Sequence, residues 1–468
     1  MPSPSMLGTI CRRQVVARLL WTAALLPLAT LAACGSGQAA TSAVASQAST
    51  SLAVTQTATS TASSPVATSA IAAPAVAPAS ISLSTWELLP LPAGVATTKE
   101  VAAFQVANPT IKVNVIATPN SPLDASLTKV QAMMAAGTPP DVTLMRPNYV
   151  ATLYTARSIQ TIDPFLAREK TLSRASYFKG ALARLIFANQ LYGLPSDYWF
   201  TVLYYNRDIF QAQGVTPPDG TWTWDAFLSA ATKLTTVSGG STRYGTITPP
   251  WQIRVRDNGG DELDAKQTTC LLDQGPAIDG IQWIADLGLK QHVVPTAKES
   301  AALSDQNRFT TGNLAMFPQG NYFQGIAATS ARFHWDLAPL PTGPVGRRPL
   351  AGGSNFLMPT GVKTPDASWL LMKFMGGPEG GTFRGQDAGL FPSMPALAKP
   401  EIIPAFSADQ ISRILATGQD AIPLPFVPQY AQMDKIISAG LAPVWAGQST
   451  AKEATAKLVP QVNALLQS

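Results

Sequence analysis

Charge is scarce in this chain. Of 468 residues only 13% are Asp, Glu, Lys or Arg, about half the usual ~25%. The 33 basic residues exceed the 28 acidic ones by five, but Arg12, Arg13 and Arg18 fall within the first 33 residues. Without that stretch the net charge is +2. A near-neutral chain with no basic run lacks the electrostatic footprint of a nucleic-acid binder. Histidine occurs twice and cysteine three times, too few for a Cys/His zinc framework. There is no GxxxxGK[ST] loop to cradle phosphates and no GxSxG elbow to present a nucleophile. His292 and His334 sit in ordinary contexts and read as structural residues.

What the chain does have is hydrophobic residues at 46%, an ordinary share for a soluble globular protein with a sizeable core. Its length allows two to four domains.

The N-terminus reads as an address. Basic residues at 12, 13 and 18 precede the apolar run Leu19–Ala33. That run is shorter than the ~20 residues of a spanning helix and contains Pro27, but it suits a secretory signal. Leu31-Ala32-Ala33-Cys34-Gly35 resembles the lipobox of bacterial lipoproteins. The resemblance implies diacylglycerol on the Cys34 sulfur and cleavage before it. Residues 1–33 are then a signal peptide and 34–79 a lipidated tether. Cys270 is left without an intrachain partner and is expected to be a small buried hydrophobe.

No charged residue lies between Arg18 and Glu87, and no aromatic between Trp21 and Trp86. Gly35–Ala79 is mostly Ala, Ser, Thr, Val, Gln and Pro, which bury too little apolar surface to offset ordering entropy. A disordered leash averaging roughly 35–40 Å end to end is expected.

From about residue 80 strands and helices alternate. Ile81–Trp86, Ile111–Ile116 and Asp141–Met145 read as strands, and Thr97–Val106 and Leu127–Ala136 as helices. Trp224–Leu234, Ala277–Leu289, Ala367–Met375 and Val444–Leu465 also read as helices. This order predicts an α/β protein with largely parallel sheets.

Several segments, taken in order, resemble the extracellular solute-binding proteins of bacterial ABC importers, in particular the sugar-binding class (family 1). They are Phe104-x3-Asn108-Pro-Thr-Ile-Lys-Val113, Ala135–Val142, Tyr192-Gly-Leu-Pro195 and Leu203–Phe210. Trp222-Thr-Trp-Asp225, Asn258-Gly-Gly260 and Phe309-x2-Gly312-x2-Ala315-Met316 follow. Each is weak alone; their order across nearly all of residues 80–468 makes the match specific. The resemblance implies a two-lobed periplasmic-binding-protein-like fold (type II), with ligand in the cleft between the lobes. Residues 80–197 plus 352–392 would form lobe 1, and 198–351 plus 393–468 lobe 2.

A sugar presents apolar C–H faces and a rim of hydroxyls, so its site pairs aromatic rings with planar polar groups. Trp86 and Arg146 end strands where ligands of open α/β sheets bind. Asp197 and Tyr198 fall at the expected first crossing between lobes. Trp251 stands where the family often carries an aromatic platform. Gln319, Asn321 and Tyr322 flank a turn at Gly320 that commonly faces the cleft. Gly353, Ser354 and Asn355 fall at the second crossing, and Tyr430 follows Pro428-Gln429.

The resemblance therefore implies a non-enzymatic, lipid-anchored, extracytoplasmic receptor without cofactor or metal. It would be a monomer that delivers a saccharide to an ABC permease and stays on the membrane through Cys34. Two alternatives stay open. One keeps the fold but binds a polyol phosphate, peptide, polyamine or iron. The other is a secreted glycoside hydrolase with Asp197 and Asp257 as its carboxylate pair.

Overall fold

The computed structural model describes residues 77–118, 124–419 and 421–467. The expected signal peptide, Cys34 and the tether up to residue 76 lie outside the described residues.

The chain opens with β1 (Ala79–Thr85), α1 (Pro92–Ala107), β2 (Ile111–Ala117), α2 (Ala125–Ala135), β3 (Val142–Met145) and β4 (Gly193–Pro195). β5 (Trp199–Asn206) leads into α3 (Trp224–Leu234), α4 (Trp251–Asp257), α5 (Gly275–Leu289), β6 (Met316–Gly320) and β7 (Trp335–Ala338). β8 (Leu350–Gly352), β9 (Asn355–Leu357), α6 (Pro365–Gly376) and α7 (Pro378–Ala388) come next. The chain closes with α8 (Ala408–Gly418), β10 (Ile422–Pro423), α9 (Tyr430–Trp445) and α10 (Ala451–Leu466).

The strands form two main sheets, one per lobe. The first has the order β2-β1-β3-β9-β4. β1 pairs in parallel with β2 and β3, whereas β9 runs antiparallel to both β3 and β4. The second has the order β6-β5-β8-β10, with β7 also paired to β5. Here β6, β7 and β8 all run against β5, and only β8 and β10 are parallel. The expectation of largely parallel sheets is corrected on this point. β5 carries the chain away from the first lobe and β8 carries it back, so the two must oppose.

Side-chain alternation along β5 serves two layers at once. Phe200, Val202 and Tyr204 join a cluster with Phe309, Phe317, Phe323 and Ile414. Leu203 and Tyr205 face the other way, against Phe210, Phe227, Ile284 and Met316. The first lobe closes over Phe104, Leu144, Phe356 and Trp369. Each such side chain contributes about 1.5–3 kcal/mol on full burial. Cys270 is buried and free, packed among α5, α9 and α10.

A second correction concerns the helix expected over Val444–Leu465. Val444 and Trp445 end α9, the chain turns at Gly447 with φ of 70°, and α10 starts afresh. The new start is a capping box: Thr450 Oγ1 accepts from Glu453 N at 3.2 Å, and Glu453 Oε2 accepts from Thr450 N at 3.0 Å. Apolar spacing continues across the break, but Gly447 and the Thr450/Glu453 pair decide it.

Candidate ligand-binding cleft

Three chain segments join the lobes, and hydrogen bonds stitch them side by side. Ser196, Asp197 and Tyr198 link β4 to β5, and Gly353 and Ser354 link β8 to β9. The third segment, after α7, includes Phe391 and Ser393. Ser196 N donates to Ser354 O at 2.8 Å and Tyr198 N to Phe391 O at 3.0 Å. Ser354 N donates to Asp197 Oδ1 at 2.7 Å, and Ser393 Oγ to Pro195 O at 3.1 Å. Gly353 makes this closeness possible: its φ is 152°, and a Cβ there would stand 2.3 Å from Asp197 O. Gly352 likewise lies under the Trp199 ring, 2.0 Å from where its Cβ would be.

The candidates separate into an accessible layer and a buried one. Arg146, Gln319, Tyr322 and Ser354 are half-buried. Trp86, Asp197, Tyr198, Asn321, Gly353, Asn355 and Tyr430 are buried. The Arg146 guanidinium lies over the Trp86 ring at 4.9 Å. The indole thus backs the arginine, as a planar cation stacking on an aromatic face does. Burial lowers the pKa of Arg146, while Tyr149, Tyr322 and Glu87 support its charge.

Arg146 leaves β3 of the first lobe and Tyr322 follows β6 of the second, so the two lobes bring these side chains into one electrostatic neighbourhood. Tyr322 Oη donates to Gln319 Oε1 at 2.8 Å, and the Trp199 ring meets Tyr322 edge-on at 5.6 Å. The accessible set combines two aromatic rings, a guanidinium, an amide and a hydroxyl.

The buried candidates support this wall. Tyr198 stacks on Phe178 at 5.7 Å, and Gly180 leaves room for its hydroxyl. Asn355 Nδ2 donates to Gly353 O at 3.2 Å, beside the second crossing. Asn321 O accepts from Tyr204 Oη at 3.2 Å. Tyr430 opens α9 and approaches Tyr149; burial, together with Glu262, Asp434 and Tyr149, drives its hydroxyl well above the usual pKa. Nearby, Thr152 Oγ1 donates to Pro428 O at 2.8 Å and Lys435 pairs with Asp124 at 2.8 Å, so α9 also touches the first lobe.

Trp251 stands apart from this group. It opens α4, half-buried, and lines a cavity of about 910 Å³ with Ile284, Leu289, Pro295 and Trp445; none of the other candidates lines that cavity.

An ion network lies beneath the cleft. Arg384 forks onto Glu100, Nε to Oε1 and Nη2 to Oε2 both at 2.9 Å, and its Nη1 meets Glu87 Oε2 at 2.6 Å. Burial opposes the Arg384 charge, but Glu100 and Glu87 outweigh it and hold its pKa above the usual range. Asp197 belongs to the same neighbourhood: burial, with Glu87, pushes it up to about 6 against Ser354 N–H, Arg384 and Arg184. Asp257 is also pushed up to about 6 by burial. Its oxygens are occupied by Trp224 Nε1 at 2.9 Å and Arg348 N at 2.6 Å.

The sequence alone assigns no role to Tyr149, Trp199, Arg184 or the Glu87–Arg384–Glu100 network. Tyr149 and Trp199 had a usable signal, since each closely follows a candidate at a strand end. The ion network had none: Arg384 and Glu87 are 297 residues apart. Among the described residues, no helix is long and apolar enough to cross a membrane. None of their His, Cys, Asp and Glu side chains form a group of three or more placed to hold a metal ion.

The family model for bacterial extracellular solute-binding proteins matches residues 90–382. A putative binding protein of Brucella abortus is 22% identical over 369 residues, covering 76% of this chain and 87% of that one. Among solved structures, an ABC substrate-binding protein of Listeria monocytogenes in complex with cycloalternan aligns with a TM-score of 0.75 at 19% identity, covering 83% and 99%. UgpB of Mycobacterium tuberculosis with glycerophosphocholine gives 0.73 at 20%, covering 83% and 98%. Maltose-bound MalE3 of T. maritima gives 0.71 at 20%, covering 83% and 100%. At these identities the structures establish the fold alone, the two-lobed type II architecture.

Proposed function

The chain belongs to the bacterial extracellular solute-binding protein family, and on that premise we propose that it captures a neutral saccharide between its lobes and delivers it to an ABC permease. One observation carries the reading: Arg146, backed by Trp86 in the first lobe, lies near Tyr322 and Gln319 of the second, with Trp199 packed on Tyr322. Rings suit the C–H faces of a sugar, and the guanidinium, amide and Ser354 hydroxyl suit its rim. Beneath the cleft Arg384 pairs with Glu87 and Glu100, so its charge is met by the protein and not by a ligand.

The lobes of this reading are residues 80–197 with 352–392, and 198–351 with 393–468. Family membership implies a place outside the cytoplasm. The finer features are a monomer held to the membrane through a lipid on Cys34. Closure stabilises the bound state through the ligand's higher affinity for it, with rotation absorbed at the crossings.

One observation favours a second reading. Arg146 is a cation at the accessible layer and would also suit the anionic group of a polyol phosphate. The two readings separate by salt, because a charged ligand loses more affinity as screening rises.

Thermal unfolding of the purified protein with mono- and oligosaccharides, polyol phosphates and metal salts is the test. A ligand at about 100-fold its Kd adds about 2.7 kcal/mol. A raised midpoint with one sugar family is the expected result. A shift confined to phosphates or metals overturns the saccharide reading.

A further inference from the structure

The helix α9 meets the first lobe along one face. Pro428, just before it, accepts from Thr152 Oγ1 at 2.8 Å. Ala431 packs on the first lobe's apolar cluster, and Lys435 Nζ reaches Asp124 Oδ2 at 2.8 Å. The helix also lies against the turn at Pro147–Tyr149, which the chain enters from Arg146 at the end of β3. On a helix, residues three and four apart share a face. Asp434 is three residues from Ala431 and four from Tyr430, so its side chain stands on this face, at the seam between the lobes. It is half-buried there.

The Asp434 carboxylate has no partner among the described residues. Lys435, the cation next to it in sequence, is turned to Asp124. Burial alone raises the Asp434 pKa, with neither a hydrogen-bond donor nor a cation opposing it. Its charge also bears on the Tyr149 and Tyr430 hydroxyls, one from each lobe. A carboxylate withdrawn from water costs free energy until something donates to it.

We propose that Asp434 is a specificity-determining residue of the cleft: it accepts hydroxyl hydrogens of the captured saccharide from the second lobe, while Arg146 supplies donors from the first. The assignment rests on the reading of the cleft as a sugar site and names the residue that turns anions away. An ionised carboxylate only accepts and a guanidinium only donates. Sugar hydroxyls do both, so one ligand can satisfy the two together. A phosphate dianion only accepts; it would leave Asp434 unmatched and be repelled by it.

The test compares the wild-type protein with Asp434→Asn and Asp434→Leu. The first readout needs no ligand. Asp434→Asn should unfold at or above the wild-type midpoint, because the charge has no protein partner to lose. A midpoint lowered by more than about 3 °C, roughly the effect of one lost hydrogen bond, overturns the proposal, since the carboxylate would then be serving the fold.

The second readout is calorimetric binding of maltose, maltotriose, mannobiose and glycerol phosphate at neutral pH. The best-bound sugar should lose at least tenfold in affinity in Asp434→Asn, which keeps one acceptor, and more in Asp434→Leu. Glycerol phosphate should gain at least fivefold in Asp434→Asn. A sugar held equally by all three proteins overturns the proposal and leaves the saccharide reading in place. Wild-type protein that binds glycerol phosphate more tightly than every sugar, or binds none of the four, overturns both.

Discussion

Arg146 and Trp86 illustrate how one pair would serve core and proposed site together. The indole is part of the first lobe's apolar cluster, and the guanidinium covers its face at the cleft. Such a stack contributes about 0.5–2 kcal/mol depending on how dry it is. Tyr322 has a lighter role, since its hydroxyl orients Gln319. Two outcomes follow for calorimetric binding of whichever sugar raises the unfolding midpoint. Arg146→Met should weaken affinity at least tenfold, whereas Tyr322→Phe should cost about 1 kcal/mol, a five- to tenfold loss. Equal affinities for both variants and the wild type would remove these residues from the site. At this scale the sequence offers candidates from both lobes, because strand ends and the turn after β6 are local features. It did not separate accessible from buried candidates. The burial of Asn321 and Asn355 depends on Tyr204 and on the β9 pairing, which adjacent residues do not encode.

Among the elements, the crossing at Gly352–Asn355 is the most constrained. Gly353 combines a positive φ with contact against the neighbouring crossing, so a methyl group has neither conformational nor spatial room. Gly353→Ala is expected to destabilise the fold by roughly 2–4 kcal/mol, from backbone strain plus overpacking. Urea denaturation measures it, and a loss below about 0.5 kcal/mol would mean the crossings can separate freely. The same scale shows where patterning was and was not legible. Trp224–Leu234 was readable to its ends, because Thr223 caps Ala226 N and the apolar spacing is strong. The second sheet's strand directions were not, since they follow from the route of β5 out of the first lobe and of β8 back into it. The break between α9 and α10 is written in Gly447 and in the Thr450/Glu453 capping pair, which interrupt an otherwise helical composition.

Among the described residues, the two lobes are joined by three crossings and by contacts of Pro428, just before α9, and of Lys435 on α9 with the first lobe. A ligand that favours closure must shift the balance of these contacts, because only differential affinity moves such an equilibrium. The overall architecture was legible from many weak segments in order. The Glu87–Arg384–Glu100 network was not, because its members come together only after α1 and α7 pack on the first sheet.

Hydrogen–deuterium exchange of the whole protein, with and without a saccharide that raises its unfolding midpoint, tests the cleft most directly. The expected result is protection at residues 146–149, 199, 319–322 and 352–355 from both lobes together. Protection confined to the cavity of Trp251 and Trp445, with those segments unchanged, would contradict the account.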